Sequence, residues 1–63
     1  MRAELKKYRL EKKLSVSQIA SIFKISSSFY YKIESGIRNP NIKLAKDIAD
    51  YFGKDMKELF FDK

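Results

Sequence analysis

Seven consecutive residues, "SSSFYYK" from Ser26 to Lys32, put three serine hydroxyls, two phenols and one ammonium on a short piece of chain. Serine hydroxyls donate and accept hydrogen bonds, and a lysine ammonium only donates, so the set is suited to recognising a polar surface. It is not suited to catalysis. The 63-residue chain has no histidine and no cysteine, no glycine-rich phosphate loop, and no pair of carboxylates that its pattern places in a pocket. An enzyme is therefore not expected, and neither is a metal, a cofactor or a bound small molecule. The usual zinc ligand sets and disulfides are excluded, and so small a domain could hardly enclose a ligand cavity.

The elements that must position these side chains can be read from apolar spacing and helix-end chemistry. With two glycines and one proline, the chain has little turn material, and the fold class expected is all-α, a compact arrangement of five short helices. Residues 2 to 12 read as a first helix with Leu5 and Tyr8 on one stripe and Leu14 closing it. Ser15 followed by Gln18 fits a capping box, so a second helix starts at Val16 and turns Ile19, Ala20 and Phe23 inward. Ser26 is an N-cap for a third helix that buries Tyr30 and Ile33, and Gly36 supplies its left-handed stop. After the "IRNPN" turn, Asn41 caps a fourth helix with Leu44, Ala45, Ile48, Ala49 and Phe52 inward, and Gly53 ends it. Asp55 with Glu58 opens a last helix holding Met56, Leu59 and Phe60. One domain, residues 1 to 63, accounts for the whole chain.

Helices this short are marginal alone and must be held by packing. Only Lys24 and Ile25 separate Phe23 from Ser26, a connection too tight for the second and third helices to run antiparallel. They must cross steeply, which is helix-turn-helix geometry over residues 15 to 36, with an exposed helix start of a size that fits the major groove of DNA. An ordinary helical corner would have the same spacing. The formal charge of +6 points to an acidic partner, nucleic acid before an anionic membrane. Its bases and its strongest apolar stripes lie on different helices, which disfavours a lipid surface. There is no apolar run of about 18 residues. "MRAELKKYRL" has no apolar signal region either, so a cytoplasmic protein is expected.

From Leu5 to Phe60 the chain resembles the phage-repressor and Cro-type helix-turn-helix family. The resemblance is carried by "LKKYR", "LSVSQIASIFKIS", "YYKIESG", "RNPN" and "LAKDIADYFGKDMKELF", in the family's order and near its spacing. It implies sequence-specific binding of double-stranded DNA by a transcriptional regulator, a repressor acting on an inverted-repeat operator as a homodimer, with helix 27–35 in the major groove. A protein-interaction module of the same fold, such as an antitoxin or anti-repressor partner, is the alternative.

By the same resemblance the groove-facing positions fall on Ser27, Ser28 and Lys32, with Phe29 set to meet a thymine methyl and Tyr31 to reach a phosphate or sugar. Serine also favours any helix start, and Phe29 could simply cover the junction of the two helices. Phosphate contacts are expected from Ser17, Tyr31, Arg38, Asn39 and Lys43. Ser17 substitutes here for the glutamine that relatives commonly carry where this chain has Val16. Relatives often place a glycine at the position of Lys13, where a lysine forced to positive φ would cost on the order of 1 kcal/mol. Arg9 and Glu34 are expected to face each other as a structural ion pair. The tail "DYFGKDMKELFFDK" has more large apolar surface than one amphipathic helix can turn inward. Tyr51, Met56, Phe60 and Phe61 are accordingly the expected homodimer interface.

Overall fold

A computed structural model describes residues 2–61. Four α-helices follow one another as α1 (Ala3–Glu11), α2 (Val16–Ile22), α3 (Ser27–Ser35) and α4 (Ile42–Phe52), and a π-helical turn covers Lys57–Phe61. No strand occurs among the described residues. The fold is all-α.

The helices α2, α3 and α4 each begin where a side chain can accept one of the first free N–H groups. Ser15 Oγ accepts from Gln18 N at 3.0 Å while Gln18 Oε1 accepts from Ser15 N at 2.8 Å, so both halves of the capping box form at the start of α2. Ser26 Oγ takes Phe29 N at 3.0 Å and Asn41 Oδ1 takes Leu44 N at 2.8 Å, which caps α3 and α4 in the same way. α1 lacks such a cap, because the residue before it is Arg2.

The ends of α1, α2 and α4 share one device. After α1 the amide of Lys13 donates to Leu10 O and that of Leu14 to Arg9 O; after α2 Lys24 donates to Ser21 O and Ile25 to Ala20 O; after α4 Gly53 donates to Asp50 O and Lys54 to Ala49 O. These paired bonds make a Schellman closure, which needs a residue at positive φ. At α4 that residue is Gly53, with φ 66°, but at α1 and α2 it is a lysine, Lys13 and Lys24, each with φ 58°. The strain is held by two backbone bonds in each turn. A cation there also faces the negative end of the helix dipole, which offsets part of the cost.

The core is where the four helices and the final turn converge: Leu5, Ile19, Ala20, Tyr30, Ile33, Ala45, Ile48, Ala49, Leu59 and Phe60 are buried. Alanine at 20, 45 and 49 lets backbones approach closely, and Tyr8, Leu14, Phe23, Phe29, Leu44, Phe52 and Met56 close the rim at half burial. Phe60 is therefore a core residue, only 8% exposed, which corrects its assignment to a dimer surface. The wide final turn places Phe60 inward and leaves Phe61 outward at 46% exposure.

Replacing Lys13 or Lys24 by glycine should remove the steric cost of positive φ and stabilise the domain by about 0.5–1 kcal/mol, net of the extra freedom glycine gives the unfolded chain. In a domain of this size that is a rise of roughly 2–8 °C in the thermal midpoint, measured by circular dichroism. A fall at both positions would mean that the lysine side chains hold these turns by contacts of their own.

Candidate nucleic-acid interface

The start of α3 is an exposed polar edge of the helix pair. Ser27 and Ser28 are exposed, Phe29 is half-buried, and Tyr31 and Lys32 point outward, Tyr31 with 58% of its surface open. Tyr30 and Ile33 are fully buried on the opposite side. Since Ser26 Oγ occupies only the amide of Phe29, the amides of Ser27 and Ser28, like other first-turn N–H groups, have no acceptor within the helix. The edge therefore offers hydroxyls and free N–H donors at the positive end of the helix dipole.

This edge is fixed to the rest of the domain by one ion pair. Arg9 Nε donates to Glu34 Oε2 at 2.8 Å and Arg9 Nη2 to Glu34 Oε1 at 3.0 Å, while Arg9 Nη1 donates to Leu14 O at 2.8 Å. The fork thus joins α1, α3 and the closure after α1. Arg9 is 7% exposed and Glu34 3%. Hydrogen bonding to Glu34 raises the pKa of Arg9 against the opposing effect of burial. The Tyr30 hydroxyl lies buried close by and makes no well-formed hydrogen bond among the described residues. Burial first, and then the negative charge of Glu34, push its pKa up, so Tyr30 stays neutral.

The turn after α3 carries the next group of candidates. Arg38, Asn39 and Lys43 are exposed, and Pro40 is buried between them. The amide of Arg38 donates to Lys32 O at 3.1 Å, and its guanidinium lies 5.9 Å from the centre of the Phe29 ring. Phe29 is thus both rim of the core and support for Arg38. Ser17 is exposed in the first turn of α2 beside half-buried Val16. The structure places Ser17, Ser27, Ser28, Tyr31, Lys32, Arg38, Asn39 and Lys43 all at the surface.

Arg2 was not among the sequence candidates. Its backbone N–H donates to Glu34 O at 2.9 Å, and its guanidinium donates to Ile33 O, to Arg38 O at 3.2 Å and to Asn39 Oδ1. The same guanidinium lies 5.3 Å from the centre of the Phe60 ring. Only its charge was visible in sequence. No periodicity marks a residue that precedes a helix and folds back over another.

The tail residues fall into separate groups. Tyr51 stacks edge-on against Phe23 and Phe52 at 5.6 and 5.3 Å, under Lys12 at 5.1 Å, and Phe61 neighbours Phe60 at 6.2 Å. Met56 is half-buried. Among the described residues no group of three or more His, Cys, Asp or Glu could hold a metal ion, and no helix is long and apolar enough to cross a membrane.

Glu34→Ala would leave the Arg9 guanidinium buried without its carboxylate, and should cost about 3 to 5 kcal/mol. That is a large part of what a domain of this size has. Urea unfolding followed by circular dichroism measures it, and a loss below about 1 kcal/mol would show that the pair is not what holds α3 to α1.

The sequence profile of a family described as "Helix-turn-helix" matches residues 5–59, a span that contains the helix pair and the turn after it. An uncharacterised HTH-type transcriptional regulator of Bacillus subtilis, YqaF, is 37% identical over 62 residues, which is 98% of this chain and 82% of that protein. A protein of Aeropyrum pernix whose name describes an HTH-type transcriptional regulatory protein is 33% identical over 55 residues, 87% of this chain but only 17% of the longer protein. No solved structure matches the chain.

Proposed function

The chain belongs to the helix-turn-helix family, and we propose that it is a sequence-specific, double-stranded DNA-binding transcriptional regulator that acts as a repressor. The observation that carries this reading is the exposed start of α3, whose Ser27 and Ser28 hydroxyls and free amides project from a helix anchored by the Arg9–Glu34 fork. An α-helix end of this kind fits the major groove, where serine can bond either to base edges or to phosphate. Lys32 lies further along the same exposed face and suits the O6 and N7 acceptors of guanine. Phe29, half-buried at the rim, suits contact with a thymine methyl. Ser17, Tyr31, Arg38, Asn39 and Lys43 supply phosphate contacts around this edge. The names of the two relatives, both HTH-type regulators, support the same reading.

Binding as a homodimer to an inverted repeat belongs to the same proposal. Its support is Phe61, 46% exposed beside the buried Phe60, with Tyr51 and Met56 as further apolar surface. Two-fold symmetry would set the half-sites about 10 base pairs apart. Wild-type chain at high micromolar concentration should sediment as a dimer on operator-length DNA, and Phe61→Glu should sediment as a monomer while keeping its helical circular dichroism. A wild type that remains monomeric with and without DNA would overturn the dimer.

Selection from a random duplex pool should enrich one motif and so give the operator; a pool with no enrichment would count against sequence-specific binding. On that operator, fluorescence anisotropy should show Lys32→Ala losing about 1 to 3 kcal/mol and relaxing preference at one position of each half-site. Arg38→Ala should weaken operator and scrambled duplex alike and reduce the slope of log K against log salt by about 0.9. If Lys32→Ala instead weakens both duplexes by the same factor, Lys32 holds a phosphate, and base reading moves to Ser27, Ser28 and Phe29.

A further inference from the structure

We propose that Arg2 is a positioning residue for DNA binding, holding the turn of Arg38 and Asn39 in the orientation that lets it grip a phosphate. The inference rests on the reading of that turn as a DNA-backbone contact and adds a residue that need not itself touch DNA. Three observations support it. The guanidinium of Arg2 joins the carbonyl end of α3, at Ile33, to the backbone of the turn, at Arg38 O, and to the side chain of Asn39. Its own backbone amide is fixed on Glu34 O at 2.9 Å, so the anchor sits on the same residue that pairs with Arg9. Its guanidinium carbon lies 5.3 Å from the centre of the buried Phe60 ring, which ties the group to the core.

The chemistry of Asn39 makes the arrangement directional. An asparagine amide has an acceptor end and a donor end, and only the donor end suits a phosphate. Because Arg2 can only donate, it requires the Oδ1 end of Asn39 and turns Nδ2 away from itself. Arg2 thereby sets which end of the amide is offered. Its planar fork also reaches the carbonyl of Arg38 from the same side, so the backbone that carries the Arg38 side chain is tied down as well. Arginine is suited to this because one rigid group spans several acceptors, which a lysine ammonium on a flexible stem does less well.

The test compares wild type, Arg2→Ala, Arg2→Lys, Asn39→Ala and the Arg2→Ala/Asn39→Ala double variant, each shown folded by circular dichroism. Affinities for operator and scrambled duplexes are read by anisotropy at several salt concentrations. Arg2→Ala should weaken both duplexes by a similar factor, roughly 5- to 20-fold, the scale of one or two lost hydrogen bonds. Its loss should overlap with that of Asn39→Ala, so that the double variant binds more tightly than the product of the two single losses. Should Arg2→Ala prove too unstable to measure, Arg2→Lys carries the test: it keeps the charge without the fork and should retain most of the loss. Unchanged affinity in a folded Arg2 variant, losses that simply multiply, or full recovery with lysine would each overturn the proposal, the last two by showing that Arg2 acts as an independent charge on the DNA. Wild-type chain that binds no duplex even at low salt would remove the DNA reading itself, an outcome distinct from wild-type binding that Arg2 does not influence.

Discussion

Everything that α3 presents depends on the fork between Arg9 and Glu34. A helix of nine residues is too short to hold itself by propensity alone. The bidentate pair fixes its placement against α1, since both of its hydrogen bonds are satisfied together, and the buried Tyr30 and Ile33 complete the hold. The third donor of Arg9 reaches Leu14 O, so the same group also sets where α1 stops and the chain enters α2. A buried ion pair is no better a source of stability than apolar packing of equal volume. What the fork adds is direction, because it holds the exposed edge of α3 against α1 through two hydrogen bonds at once.

Much of the fold was legible because its punctuation is local. Ser15, Ser26 and Asn41 each announce a helix start through side-chain chemistry that acts over three residues, and Gly36 and Gly53 mark stops through backbone freedom alone. The apolar spacing of α4 showed its inward face for the same reason. The last segment was less legible. Asp55 and Glu58 suggested an ordinary capped helix, whereas the chain forms a π-helical turn over Lys57–Phe61. Helical spacing grouped Phe60 with Met56 and Leu59, while apolar content alone put it with Phe61 on a dimer surface, and the packing follows the spacing.

The candidate surface was legible where it follows from helical phase and illegible where it follows from long-range contact. Ser27, Ser28, Tyr31 and Lys32 are exposed as their phase in α3 requires. Arg2 meets Asn39 across 37 positions of sequence, and neither residue carries a local sign of the other. Of the six cations before Ser15, Arg9 is buried in its pair and Arg2 is occupied with α3 and its following turn, whereas Lys6, Lys7, Lys12 and Lys13 stay exposed. The charge count alone could not tell these two groups apart.

The closure between α2 and α3 has an evolutionary side. Its two backbone bonds and single left-handed residue leave no slack, and α3 begins directly after the capping serine. One residue inserted or deleted here would break the paired bonds by which Lys24 and Ile25 close α2, or move the capping hydroxyl of Ser26 away from the start of α3. The outer edge of α3 can therefore exchange its exposed side chains without disturbing the core, whereas the segment that leads to it has no room to change length.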